Sequence, residues 1–438
     1  MELRIIIILA VMIIAYALAK WKKLSVEVSI FFAAVAGGIA GAFTATPPIT
    51  QLPRHLIEGA FPYLDIILVF TTATIFMAII SASGGVNYVV RGIIKYFHNK
   101  RIIALILLMV IVLIPGAFTG AGSVSLLVVG APVALALSYL GVPKKRVAAI
   151  LFIVAGLSAT APPINIWAMI LCAGTAIPYV GFMLPLGVPV LILGVFTVLV
   201  LGWKKEGKVE LEKALRDMPE VPAGMSWWRV ILPFLAFFGL VAVSRIWPFA
   251  LPIFGLPLEF VVAALVAFLL SPKRINILTL SRDTVKRLLP LLATIVVVGM
   301  LQQIMTATGV RGLLSFSVIS LNLTLLFYVL LAIIIPISEG VLTYGAAAIL
   351  GIPLIWFLQS VGLEETICIA ALSLLWALGD GLPPTALIGR LSVMVSEYKG
   401  SYWEFLKSTW LPWLVITIVG VLMIACSASL SFLMRWSI

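Results

Sequence analysis

The chain has 438 residues, 63% of them hydrophobic and 11% charged, and its mean hydropathy is +1.22. A soluble globule, with an apolar share nearer ~50%, is excluded, and so is a porin-like barrel, which would show short alternating segments. The net charge of +12 fits either a nucleic-acid partner or the Lys/Arg excess of cytoplasmic membrane loops, and the placement of the charges decides between them.

Apolar stretches near the ~20 residues of a membrane-crossing helix recur along the whole length. The first, about 3–19, ends at Lys20, Lys22 and Lys23. This basic flank favours a retained helix over a cleaved leader, with the N-terminus outside. Crossings at about 26–45 and 63–83 follow, the latter broken by Gly84-Gly85 before a short helix to residue 97. Residues 102–140 read as a re-entrant hairpin, because the turn signal PGAFTGAG (115–122) joins two shortish helices with basic residues at both outer ends. Residues 147–173 form a crossing interrupted at Ser158–Pro163, and 180–202 cross back. The charged segment 203–229 is read as a cytoplasmic linker between residues 1–202 and 230–438.

The second half repeats the plan. Crossings are expected at about 230–247, 258–270 and 288–305, then a hairpin at 322–361 with its tip at 336–343. A broken crossing at 367–395 and a last one at 410–434 complete it. Sliding the halves by 221 positions superposes Pro115 on Pro336, Gly130 on Gly351, Pro132 on Pro353, Gly141 on Gly362 and Pro162-Pro163 on Pro383-Pro384. Gly and Pro interrupt helices, so the two copies share their breaks. With the N-terminus outside, 23 of the 29 Lys and Arg fall in internal loops, and the basic excess is explained by orientation rather than by nucleic acid. Each half then holds five transmembrane helices plus one hairpin. Five is odd, so the halves are inverted, both termini lie outside, and the first hairpin opens inward and the second outward. Inverted repeats with discontinuous helices are the sequence sign of a secondary transporter.

Chemistry gathers at the breaks. Proline lacks an N–H, so Pro162-Pro163 is expected to free the carbonyls of Ser158 and Ala159, and Pro383-Pro384 those of Gly379 and Asp380. Such oxygens suit an alkali cation, and the half-helix N-termini beyond them suit an anion. The sodium set comprises Gly120, Gly122, Ser158, Ala159 and Thr160 in the first copy, with Ser338, Glu339, Gly379 and Asp380 in the second. The substrate set comprises Thr119, Ser123, Ser125, Asn165, Thr343, Tyr344, Thr385 and Arg390. Intramembrane charge is a functional signal. Glu339 and Asp380 read as sodium ligands, proton carriers or part of a structural ion pair, and Arg390 as a partner for Asp380 or for a substrate carboxylate, or as facing the cytoplasmic vestibule. Hydroxyls in apolar helices also serve simply to satisfy nearby carbonyls. The three cysteines show no pairing or metal spacing and read as buried, inert thiols. The chain carries no phosphate-binding loop, zinc motif or nucleophile–histidine arrangement, so no enzyme and no cofactor is expected.

GAFTGAGSVSLLVVGAP with ATAPPIN, and SEGVLTYGAAAILGIP with GDGLPPT, resemble the ion transporter superfamily. The likeness is strongest to the large permease subunit of TRAP transporters (DctM-like). It implies an elevator mechanism in the inner membrane, sodium coupling and an anionic substrate such as a C4-dicarboxylate. It also implies two partners, a small four-helix membrane subunit and an external substrate-binding protein. Asp380 and Arg390 fall outside that family pattern. A carrier or antiporter of the same superfamily that works without a binding protein, for a dicarboxylate, citrate or an inorganic anion, fits the residues too, as does association of copies of the chain. A non-transporting membrane scaffold is the rival of another class.

Overall fold

The computed structural model describes residues 2–44, 47–204, 211–247, 255–319 and 325–435. Lys205 and Lys208 of the linker, residues 322–324 of the second hairpin and the side chain of Arg245 lie outside that description. Every regular element among the described residues is a helix. Helices α1 (Glu2–Trp21), α2 (Val26–Ala42), α3 (Leu64–Ala82) and α4 (Gly85–Phe97) come first. The first hairpin has α5 (Arg101–Thr119) as one arm; the other arm passes through a π-helical turn, Leu126–Gly130, into α6 (Ala131–Tyr139). Next come α7 (Lys144–Thr160), α8 (Ile166–Thr175) and α9 (Met183–Gly202). After the linker stand α10 (Trp227–Ile246), α11 (Leu256–Leu269), α12 (Ile277–Ala307) and α13 (Val310–Ile319). The second hairpin has arms α14 (Leu325–Leu342) and α15 (Ile352–Ser360), and α16 (Glu365–Gly379), α17 (Leu387–Val395) and α18 (Trp410–Ala425) follow.

The elements recur at the offset read from the sequence. The second π-helical turn, Ala347–Gly351, lies 221 residues after the first, as α15 does after α6. Gly141 (φ 79°) and Gly362 (φ 82°) both end a hairpin in the left-handed region, where glycine carries no Cβ penalty. The Pro162-Pro163 and Pro383-Pro384 bonds are both cis.

The packing follows the same exchange. Helix α2 lies on α12 as α11 lies on α3, and α3 meets α12 between them. Each long hairpin arm packs on the broken helix of its own half, α5 on α7 and α14 on α16, while α7 and α16 pack on each other. The short half-helices reach across: α8 packs on the second π-turn and α17 on the first. Trp167, Trp376, Phe152 and Phe357 are fully buried in this centre. Apolar side chains such as Ile7, Phe32, Ile192 and Leu235 are exposed outside it, as a lipid-facing surface requires.

Three expectations need correction. Pro115 and Pro336 do not open the hairpin turns; both sit inside helices that run on to Thr119 and Leu342. The tips are therefore shorter than the sequence suggests. In an apolar bundle, side-chain hydroxyls can re-satisfy the carbonyls around a proline. Here Thr119 Oγ1 donates to Pro115 O at 2.7 Å, and the Ser125 hydroxyl donates to Val112 O. Second, fewer single helices are long and apolar enough to cross a membrane than the crossings expected, and two of them are the arms of the first hairpin, Arg101–Thr119 and Gly122–Tyr139, read from the sequence as too short. Among the described residues seven are long and apolar enough, or eight if Tyr402–Ser408 and Trp410–Ala425, bent by 55°, are one span. The halves of each broken helix, and α2 and α11 with 17 and 14 residues, are shorter. Third, Cys426 is exposed at the end of α18, whereas Cys172 and Cys368 are buried as expected. These features describe an all-α, multi-pass membrane protein with internal symmetry.

Candidate functional site

Both Pro-Pro links are stitched to the hairpin of their own half by a matching bond. The residue after each pair donates its N–H to a tip carbonyl: Ile164 N to Ala117 O at 3.0 Å, and Thr385 N to Gly340 O at 3.1 Å. Thr385 adds its hydroxyl to the same Gly340 oxygen at 2.9 Å. The carbonyl of the second proline is also met in both copies. Tyr179 OH donates to Pro163 O at 3.1 Å, and Arg390 Nη2 donates to Pro384 O at 3.0 Å. Arg390 thus occupies the role that a tyrosine plays in the first copy. It is exposed, and no ion pair joins it to Asp380. The ion pair anticipated between them is not formed.

The carbonyls expected to be free are largely recaptured. Ser158 O accepts from Ala161 N at 3.3 Å, Gly379 O from Leu382 N at 2.8 Å, and Asp380 O from Gly389 N at 3.2 Å. The backbone tightens into three-residue turns before each proline, and after the second it folds back far enough to bring Gly389 to Asp380. Each carbonyl keeps a second lone pair for a cation.

The first copy is neutral and closed. Thr119, Gly120, Gly122, Ser125, Ser158, Ala159, Thr160 and Asn165 are all buried, and Ser123 is partly so. Ser158 Oγ donates to Ala155 O at 2.6 Å and Thr160 Oγ1 to Leu157 O at 2.8 Å. These hydroxyls satisfy neighbouring carbonyls, with their lone pairs left over. Asn165 caps α8, accepting from Ala168 N at 3.0 Å and donating Nδ2 to Thr160 O at 3.4 Å, while its own N–H donates to Tyr179 OH at 3.1 Å. That uses the asparagine as a brace across the break.

The second copy holds the charge. Glu339 is 1% exposed, and neither carboxylate oxygen has a hydrogen-bond partner. Its backbone neighbour across the tip-to-break contact is Gly379, next to the buried Asp380. The Trp167 indole Nε1 is likewise buried without a hydrogen-bond partner. Asp380 is 6% exposed. The tip and break meet closely because Gly379 has no side chain: a Cβ there would lie 2.5 Å from Glu339 Cβ and run into Pro336 O. Ser338 donates to Ile335 O at 2.7 Å and accepts from Trp376 Nε1 at 3.2 Å. Thr343 and Thr385 are partly buried at the tip and break.

The two tips are also joined directly. Tyr344 OH donates to Gly120 O at 3.2 Å, and its ring lies 5.2 Å from that of Trp167. Gly122 lets the first tip sit against both broken helices. A Cβ there would fall 2.8 Å from the Ala155 carbonyl carbon and 2.6 Å from Ile388 Cδ1. Trp167, Tyr179, Trp376 and Tyr402, whose hydroxyl donates to Gly381 O at 2.7 Å, complete the site and were not singled out from the sequence. A tryptophan in a fully apolar stretch is itself a signal, since its N–H needs a partner once buried.

At the left-handed position of the tips, Gly120 (φ 70°) in the first copy is answered by Thr343 (φ 52°) in the second. A β-branched residue there is strained, at about 1–2 kcal/mol. Thr343→Gly is therefore expected to raise the thermal midpoint of the purified protein, and Thr343→Val to lower it. If both lower it equally, the bond from Thr343 Oγ1 to Leu342 O, 2.7 Å long, outweighs the strain.

No family model matches the chain, and no curated protein matches it by sequence. Its fold is shared. MtrF of Neisseria gonorrhoeae superposes with a TM-score of 0.60 over 88% of this chain and 85% of that one, at 10% identity. That protein is described as illuminating a class of antimetabolite efflux pumps. The chain thus shares the fold of that protein. Among the described residues no group of three or more His, Cys, Asp or Glu is placed to hold a metal ion.

Proposed function

We propose that the chain is a secondary active transporter of an organic anion, coupled to a cation bound between the second hairpin tip and the second broken helix. The observation that carries the reading is the buried Glu339 carboxylate, unpartnered and packed against Gly379, the residue before buried Asp380. Two carboxylates in one buried site cannot both hold charge without a compensating cation. A site that must exchange a cation to change its charge is what ion coupling requires. Sodium is the first choice, with the second lone pairs of Gly379 O and Asp380 O as added ligands; a proton shared by the pair is the alternative.

The anion is assigned to the N-terminal ends of α8 and α17, where backbone N–H groups and the helix dipole favour negative charge. Exposed Arg390 stands beside the second of these ends. The symmetric placement of tips and breaks supports an inverted repeat of five transmembrane helices plus a hairpin per half. In it the hairpins and α7–α9 and α16–α18 move together against a frame of α2, α3, α11 and α12. This is the elevator arrangement, in an inner membrane with both termini outside. TRAP-type partner subunits belong to this reading only as far as the sequence resemblance goes.

The test is uptake of a carboxylate panel, C4-dicarboxylates and citrate included, into proteoliposomes with imposed sodium or proton gradients. Concentrative uptake under one gradient supports the proposal. No gradient-driven uptake of any anion across the panel favours a membrane scaffold instead.

A further inference from the structure

Helix α7 opens on Lys144-Lys145-Arg146, and α5 opens on Arg101. Cations at a helix start are disfavoured by the positive end of its dipole, so their presence there needs another reason. Both arginines reach the last residues of α9 and its exit. Arg146 Nη1 donates to Leu201 O at 3.2 Å, and Arg101 Nη2 donates to Gly202 O at 2.6 Å and to Lys204 O at 3.1 Å. These bonds orient the guanidinium groups, but a carbonyl carries only a partial charge and does not neutralise them. Among the described residues neither arginine forms an ion pair, whereas Lys144 meets Glu397 at 3.1 Å. A guanidinium has five donors, and Arg146 spends one of them on the protein.

A groove of about 510 Å³ opens beside Arg146. Its described lining is completed by Leu199 and Val200 of α9, with Trp203 and Lys204 just beyond. Leu199 and Val200 are partly exposed, and Trp203 is 78% exposed at the end of its helix, the place of a ring at a membrane interface. The groove thus grades from an apolar wall to a basic mouth. A small soluble anion would use the mouth and leave the wall wet. A zwitterionic lipid would use the wall and bring its own ammonium into the mouth. An anionic phospholipid fits both ends, since the planar fork of an arginine matches phosphate oxygens in pairs. The charge pattern of the sequence puts this end of α9 on the cytoplasmic side, where the leaflet is anionic and basic pockets between helices hold lipid head groups.

We infer that this groove binds one anionic phospholipid of the inner leaflet, its phosphate on Arg146 and an acyl chain along Leu199 and Val200. The inference takes from the functional proposal only the orientation of the chain in the membrane. Its test reads binding, so it stands or falls separately from transport.

Calorimetric titration of the full chain in detergent tests this, with empty micelles as the blank. The probes are dioctanoyl phosphatidylglycerol, dioctanoyl phosphatidylcholine, glycerol 3-phosphate and inorganic phosphate. Saturable binding of the phosphatidylglycerol is expected, with the phosphatidylcholine at least tenfold weaker and neither soluble phosphate bound at the same concentrations. Arg146→Gln should bring phosphatidylglycerol down to the strength of phosphatidylcholine. Val200→Trp fills the groove with Arg146 intact and should abolish the saturable binding, which keeps the test alive if Arg146→Gln does not fold. Equal binding of the two lipids would mean a non-selective lipid coat only. Binding of either soluble phosphate as strong as that of phosphatidylglycerol would mean a site for a free anion. Undiminished binding in either variant would place the lipid elsewhere. Each of these results would overturn the assignment.

Discussion

Glu339→Gln is expected to cut gradient-driven uptake at least tenfold while the protein remains folded and monodisperse. The side chain keeps its shape, loses its charge and exchanges one oxygen for an NH2 group. No hydrogen bond in the structure depends on either carboxylate oxygen, so the variant leaves no orphaned partner. The folded state should even gain, since an uncompensated buried charge is among the costliest groups a protein can hold. Asp380→Asn removes the other member of the pair and is expected to give the same loss. The double variant should be no worse than either single one, because residues acting as a unit are not additive. Proteoliposome uptake beside thermal unfolding in detergent separates the two effects. Loss of transport with loss of stability would mean that the carboxylates are structural.

Gly379→Ala is expected to destabilise the protein by about 3 kcal/mol, the upper part of the overpacking range. The new methyl would lie 2.5 Å from Glu339 Cβ and against the carbonyl of Pro336. Neither is the loose end of a side chain, so relief requires the second hairpin to leave the broken helix. Gly239→Ala in α10 is the matched control, because nothing lies within 4 Å of a Cβ there. At that position alanine should stabilise by up to ~1 kcal/mol through helix propensity alone. Thermal midpoints moving in opposite directions support the close tip-to-break contact. Equal small shifts would show that the contact is not needed.

The sequence was most informative where backbone chemistry is obligatory. Proline and glycine state where a helix stops, and the recurrence of Pro162-Pro163 at Pro383-Pro384 located both breaks. It was less informative about what satisfies a broken backbone. Nothing in the spacing of Tyr179 or Arg390 says that both would reach the carbonyl of the second proline, because that depends on how a loop and a half-helix fold back in space. The hairpin tips were set too early for a related reason. A lone proline reads as a stop in water, yet inside an apolar bundle Thr119 and Ser125 supply donors to the carbonyls around Pro115. Glu339 and Asp380 were visible as rare intramembrane charges. Their company was not, because Trp167 comes from the other half of the chain and joins the cluster only through the crossing of α8 to the second hairpin.

The central claim is that the second tip and break hold the coupling cation. Calorimetric titration of sodium into the purified chain in nanodiscs, repeated across pH and with Glu339→Gln and Asp380→Asn, tests it most directly. The account predicts saturable sodium binding that weakens as protons compete for the same carboxylates and is lost in both variants. If protons are the coupling ion, sodium binds nowhere and proton release on ionisation of the pair disappears in the same variants. Sodium binding of unchanged strength in Glu339→Gln and Asp380→Asn would contradict the account.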